Sequence, residues 1–488
     1  MTKTVESTSN KSLSWALGSL DMQPVAPPTT PAHRNVHQSS PAMTQLDGDN
    51  GVDWQLVVEL RREASAELSS RLESWEQSHV GARLDADDRR LMGRAVIGQI
   101  VRAHAERLSA TGQKLWSLQT EKAYSVAVED AIFGFGRLQP LFEIPDAENI
   151  EINGHDCVNI QYGDGRRQPH HRVADSDEEL IEAIRFIGAN ANPPRPFDDA
   201  HPMMTVALGD RFRLHALGFG LSHRPSIVIR QHILTEVGLA DLAASGMFDM
   251  RVAEFLRCAV LARKSIVISG DQGAGKTTLL RALIDAIPSG ERFGTLETDY
   301  ELLTHLQPNR RNILALQAKS GMGEIQDGRR LGNYSIADLI PEALRQNLSR
   351  LIVGEVRGAE AATMFEAMQS GAGTMSTTHS HSAESTMDRL AARVAMDGTL
   401  SVAEAFRQIA LNLHLLIHVS LVDDTWRGGL RRRFISEIRW LTGAVECDRP
   451  VTHLVYRAAG EGRPYVWDPP AALLAELRPF EQKSGQRG

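Results

Sequence analysis

Gly270-Asp271-Gln272-Gly273-Ala274-Gly275-Lys276-Thr277 fills every fixed position of the pattern G-x-x-x-x-G-K-[ST]. An apolar run, Ser265–Ser269, leads straight into it, and Thr277-Thr278-Leu279-Leu280 opens a helical pattern on the far side. Phosphate binding needs this order. Glycines let backbone N–H groups turn inward around phosphate oxygens, and the helix N-terminus adds positive potential. Lys276 is expected to reach the β- and γ-phosphates of ATP, and the Thr277 hydroxyl to ligate Mg2+. The expected nucleotide-binding set is Gly270, Gly273, Ala274, Gly275, Lys276, Thr277 and Thr278. A plain glycine turn with a surface lysine would not require a strand before it and a helix after it.

Around this loop, strands and helices alternate as they do in a parallel sheet. Helical spacing covers 251–261, 336–346, 361–368, 384–394 and 402–411. Apolar strand runs lie at 293–296, 351–353, 374–378, 415–421 and 434–440. A nucleotide site also needs a carboxylate at the end of a neighbouring strand. Leu351-Ile352-Val353-Gly354-Glu355 ends in Glu355, the expected Mg2+ ligand and water-orienting group, with Gly354 where many such proteins carry aspartate. Glu297 ends a second strand and could help polarise water, or belong to a solvated acidic turn with Asp299 and Glu301. His379, at the tip of Thr374–Thr378, is expected to sense the γ-phosphate. His379 and His381 lack a third ligand nearby, so a metal centre is not expected there. His414 and His418 fall in an apolar run and read as satisfied core histidines.

Upstream, the expected organisation is a tail over 1–50, a helical region over 51–130 and a small α/β domain over 131–235, followed by the phosphate-loop domain over 236–488. The tail mixes Ser, Thr, Pro, Gln and His and is expected to be disordered. Alternating runs on either side of Asn153-Gly154 predict a hairpin. Ser176 and Glu179 predict a capped helix, with Gly188 as its terminator, and Arg211–Arg230 predicts a strand pair. The net charge of −8 argues against a phosphate-neutralising surface, and no run is long and apolar enough for a membrane span. No secretory signal is readable, and Cys157, Cys258 and Cys447 form no C-x-x-C pair. A disulfide-rich secreted protein and an integral membrane protein are both excluded on these expectations.

Several segments together resemble the ATPases that drive type II and type IV secretion and pilus assembly, most of all the CpaF-like ATPases of tight-adherence (Tad/Flp) pili. The resemblance covers roughly residues 125–455. It rests on Gly134-Phe-Gly136-Arg-Leu138-Gln-Pro140-Leu141 and Glu148-Asn-Ile150-Glu-Ile152-Asn153-Gly154. It rests also on the acidic box Leu296–Leu302, the Walker B segment Ile352–Ala361 and the histidine box Gly373–His379. Thr298 departs from the usual second acidic residue of the box, and the four-cysteine zinc element of many type II secretion and pilus-extension ATPases is absent from this sequence.

The resemblance implies a RecA-like P-loop motor domain joined to the smaller α/β domain, assembled as a homo-hexamer. It implies ATP hydrolysis with Mg2+ that powers a Tad/Flp-type pilus or a related secretion machine, through an integral inner-membrane platform protein. The chain itself is expected to be cytoplasmic and peripheral to that membrane. By family position, Arg195, Arg211 and Arg230 would complete the catalytic site beside Lys276, Glu355, Glu297 and His379; otherwise they are surface ion-pair residues. Two further readings stay open. One is a conjugation-type or nucleic-acid translocase, although the basic runs at Arg310-Arg311 and Arg431–Arg433 are short and direct nucleic-acid binding is not expected. The other is a non-catalytic, nucleotide-gated scaffold.

Overall fold

The computed structural model describes residues 52–481, apart from positions 80, 81, 83, 113, 114, 234, 235, 320, 322, 323, 327, 359, 370, 372, 397, 399 and 461–463. The tail over 1–50 and the boundary residue Thr235 therefore lie outside the described residues. Two compact units meet in sequence between Gln231 and His232.

The first unit begins with three helices, Trp54–Ser78, Ala86–Ala110 and Leu118–Phe133. Asp53, Asp85 and Ser117 cap them, each side chain accepting from a backbone N–H of the first turn. Val57, Leu60, Ala64 and Leu68 recur at helical spacing and bury one stripe of the first helix. That stripe joins Val96, Ile97, Val101 and Val128 in a core of its own.

A six-stranded antiparallel sheet follows, with neighbours in the order Arg167–His170, Val158–Tyr162, Ala147–Asn153, Ser226–Gln231, Phe212–Leu217 and Met203–Leu208. Its second core gathers Ile150, Ile152, Leu214, Ile227 and Ile229 under the helix Asp177–Asn190. The expected hairpin forms, with Ile152 opposite Val158 and Gly154 at φ 73°. Ser176 caps the following helix, but Gly188 does not end it; the helix runs on to Asn190. Gly188 is needed for close approach instead, because a Cβ there would lie 2.5 Å from the carbonyl oxygen of Arg195.

In the second unit, a nine-stranded sheet is ordered Val466–Trp467, Arg449–Arg457, Arg431–Glu446, Leu415–Asp423, Ile266–Gly270, Met375–His379, Arg350–Val353, Phe293–Glu297 and Ile313–Gln317. The six strands from Leu415–Asp423 to Ile313–Gln317 are parallel, and the other three pair antiparallel at one edge. Helices cover both faces, giving one core with Leu256, Leu279 and Leu283 and another with Ile340, Phe365, Leu390 and Ile409. This is the expected RecA-like P-loop domain, carrying a smaller α/β domain and a helical extension before it. Among the described residues, no helix is long and apolar enough to cross a membrane.

Leu60 is 1% exposed at the centre of the three-helix core. Leu60→Ala is expected to destabilise that core by about 2–5 kcal/mol, with a lower urea midpoint in the unfolding transition of this unit.

Candidate nucleotide site

Sheet order brings three strand tips to one edge beside the phosphate loop. The loop strand Ile266–Gly270 pairs directly with Met375–His379, His379 standing opposite Gly270. The Glu355 strand is therefore not the neighbour that the sequence reading assumed; the histidine-bearing strand is inserted between them. On the far side of Arg350–Val353 lies the strand that ends in Glu297.

Glycine is required where the strand enters the loop. Gly270 has φ 153°, and a Cβ on it would lie 2.2 Å from the backbone oxygen of Val419, which cannot swing aside. Gly273 and Gly275 have φ 74° and 93°, and Gly275 is the cap of the helix Lys276–Asp285. Ala274 is fully buried, whereas Thr277 and Thr278 are half-buried at the start of the helix.

Lys276 is 7% exposed, so its ammonium needs acceptors. It donates to the carbonyl oxygens of Gly270 at 3.1 Å and Asp271 at 2.9 Å, and its Nζ lies 3.2 Å from His379 Nδ1. An ammonium can only donate, so Nδ1 accepts and the ring proton belongs on Nε2. That nitrogen faces Glu355 Oε1 at 3.1 Å, and Arg357 donates to Glu355 Oε2 at 2.7 Å. Burial, reinforced by the Lys276 charge, holds the His379 pKa below its ordinary value. The ring thus stands between the loop lysine and the strand-tip carboxylate, near Glu355 Oε1 but making no hydrogen bond to it.

The Glu355 loop is tied to the inserted strand. Thr377 Oγ1 donates to Gly354 O at 2.7 Å, and Val356 N donates to Thr377 O at 2.8 Å. Buried Arg393, which sequence reasoning did not single out, donates to Val356 O at 2.6 Å and to Thr378 Oγ1. Its signal is faint in sequence, a single arginine on a buried helix face with Thr386, Leu390 and Val394.

Glu297 is 3% exposed, so the alternative of a solvated turn does not hold for its side chain. Its Oε1 accepts from the backbone N–H groups of Glu301 and Leu302 at 2.9 and 2.8 Å. Its Oε2 has no hydrogen-bond partner among the described residues. A Cβ at Gly354 would lie 3.1 Å from Glu297 Cγ, so the missing side chain at 354 makes room for this carboxyl. Burial pushes its pKa up to about 7.

The remaining histidines divide as their settings dictate. His381 bonds Asp271 at the surface, 2.8 Å away. His414 takes a bond from Ser265 N, and buried His418 lies 2.9 Å from Ser269 Oγ. Among the described residues, no three His, Cys, Asp or Glu side chains gather into a metal-binding group. Arg195, Arg211 and Arg230 belong to the first unit. Arg195 is half-buried and its backbone N–H bonds Gly188 O, Arg211 is exposed, and Arg230 stands directly opposite Arg213 across two strands.

The loop fits a nucleotide phosphate, because its left-handed glycines leave open the space that Cβ atoms would fill, and a buried lysine waits on weak carbonyl acceptors. Thr277 and Glu355 supply the hard oxygen donors that Mg2+ prefers. Fold and site define a P-loop α/β domain with a strand-tip carboxylate.

The chain belongs to the type II/IV secretion system protein family, whose model matches residues 194–449. A protein of Mycobacterium tuberculosis provisionally named a conjugal transfer protein is 31% identical over 332 residues, 65% of this chain and 87% of that protein. The type IV secretion system protein PtlH of Bordetella pertussis is 38% identical over 138 residues, 28% of this chain and 38% of that protein. Among solved structures, the ATPase DotB of Legionella pneumophila aligns with 21% identity and a TM-score of 0.42, covering 62% of this chain and 78% of that one. At that score the likeness adds nothing to the fold read from the sheet order.

The raised pKa of Glu297 makes stability depend on pH. The folded state holds this proton up to about pH 7, while the unfolded chain releases it near 4.5. The contribution is therefore complete below pH 4.5, falls as pH rises, and is gone above about 7. In the nucleotide-free protein, Glu297→Gln is expected to remove this decline, which urea titrations between pH 5 and pH 8 would read as a flatter stability profile (window of about 3 units).

Proposed function

We propose that the protein is an ATP-hydrolysing motor that works as a homo-hexameric ring at the cytoplasmic face of a membrane. The observation that carries this reading is the chain of contacts from Lys276 through His379 to Glu355. It ties the phosphate loop to the carboxylate across the inserted strand, as coupled binding and hydrolysis would require.

In this reading the loop amides from Gly273 to Thr278 receive the phosphates. Lys276 leaves the carbonyls of Gly270 and Asp271 for the β- and γ-oxygens, stronger acceptors because they are charged. His379, relieved of the lysine, turns its neutral ring to the γ-phosphate. Thr277 and Glu355 would hold Mg2+, whose charge would lower the barrier to phosphoryl transfer. Glu355 orients the attacking water, and Glu297, buried behind Gly354, provides a second carboxyl of tuned basicity. Arg195, Arg211 and Arg230 add the positive charge that the transferring phosphoryl group needs.

The output is movement of a partner machine. Family membership supports a secretion or pilus motor, and the sequence resemblance points to a Tad/Flp pilus driven through an integral platform protein of the inner membrane. The relatives named for conjugal transfer and type IV secretion favour a second cargo, a protein or protein–DNA complex passed to a type IV secretion machine.

Lys276→Ala is expected to weaken ATP binding and to lower turnover by about a hundredfold or more. Glu355→Gln should bind ATP as the wild type does and yet release phosphate at a comparably reduced rate. Phosphate-release assays beside calorimetric binding separate the two. Normal turnover in the glutamine variant would move the water-orienting role to another carboxylate.

A further inference from the structure

Two arginines outside the residues used so far reach the phosphate loop from behind. They lie on Arg431–Glu446, which pairs antiparallel with Leu415–Asp423, the strand on the other side of the loop strand. A strand alternates its side chains, so Arg431 and Arg433 share one face and exposed Arg432 takes the other. Arg433 Nε donates to the carbonyl oxygen of Gly273 at 2.8 Å. Its stem crosses the next turn of the loop, where a Cβ on Gly275 would sit 3.5 Å from Arg433 Cδ. Arg431 stands beside it, with Nη2 3.3 Å from the position of a Cβ on Gly273. Its own side chain is 7% exposed, and its Nε lies 3.5 Å from Asp423 on the paired strand.

We infer that Arg433 is a positioning residue for nucleotide, holding the phosphate loop in its receiving conformation by fixing the Gly273 carbonyl on the loop's outer side. This rests on the nucleotide reading of the loop. Gly273, at φ 74°, has no side chain to limit its backbone, so something else must select one orientation of the peptide that follows it. A guanidinium on its oxygen does so, and the charge polarises the same peptide, making the Ala274 N–H a stronger donor. Ala274 N donates to Asp271 O at 3.3 Å, and Lys276 Nζ donates to the same oxygen at 2.9 Å. Both are groups that a phosphate would claim, and both are gathered on one carbonyl while Arg433 holds the next turn outward. Arg433, with Arg431 beside it, thus faces the loop.

The test uses the purified full chain, fluorescent mant-ADP and Mg2+. Arg433→Met keeps the stem over Gly275 and removes the donor. Its dissociation constant is expected to rise about tenfold, with the KM for ATP rising in step and kcat changing much less. Arg433→Lys, which keeps a charge but not the planar donor, should fall between methionine and wild type. Arg432→Met, on the opposite face, should bind within about twofold of wild type. A residue that only braced the fold would lower the melting temperature of the nucleotide-free protein and leave affinity and KM in place, and that result overturns the inference. So does wild-type affinity in Arg433→Met when Lys276→Ala has lost binding. Arg433→Leu, which also removes the donor and keeps an apolar stem, carries the same comparison should the methionine variant not fold. If the wild type itself binds no mant-ADP, the nucleotide reading fails first and takes this inference with it.

Discussion

A buried ammonium must be given acceptors, and at the carboxyl edge of the large sheet that requirement organises everything else. Lys276 is carried into the interior by the first turn of its helix, where an uncompensated charge would cost several kcal/mol, on the order of the usual desolvation penalty. Two loop carbonyls and the His379 ring meet it there. The carbonyls face the ammonium only because the loop turns on glycines, and the ring arrives only because its strand pairs with the loop strand. His379 is then held neutral, and its ring stands between the lysine and Glu355.

The same logic runs through the strand that separates the loop from Glu355. Thr377, Thr378 and Arg393 bind the backbone of residues 354–356, so this loop moves with the inserted strand and not by itself. Glu297 completes the arrangement from the far side, its carboxyl seated where residue 354 has no side chain. On the opposite flank Arg433 anchors the phosphate loop to the antiparallel edge. Strand tips and loop are therefore coupled in both directions across the sheet, the kind of connection by which occupancy of one small site can be felt by a whole domain.

Much of this was legible in sequence for physical reasons. The phosphate loop follows a rigid spacing because each glycine answers a backbone need, and strands buried on both faces show as unbroken apolar runs. The helical extension shows in the spacing of Leu56 to Leu72 and Leu91 to Leu108, and the first helix buries Val57, Leu60, Ala64 and Leu68. What could not be read is what depends on strand order. Nothing in Leu351–Glu355 reveals that another strand separates it from the loop. The acidic cluster after Leu296 looks solvated, yet Glu297 is buried because Gly354 lies beside it in space. The strand Ile313–Gln317 escaped notice since every position is half-buried, and Met203–Leu208 because Met203 and Ala207 on its exposed face are apolar and hide the alternation. Gly188 resembles a helix terminator in sequence but serves a neighbouring loop. Arg433 looked like part of a charge run until the pleat set it apart from Arg432.

Lys276, His379 and Glu355 gather at one site, and the proposed function has a nucleotide bound among them. The most direct test is an experimental structure with a non-hydrolysable ATP analogue and Mg2+. Lys276 is expected to have left the carbonyls of Gly270 and Asp271 for the analogue's β- and γ-phosphates, with His379 turned to the γ-phosphate and Glu355 at the metal. An analogue bound elsewhere, or bound at the loop with Lys276 still on those carbonyls, would contradict it.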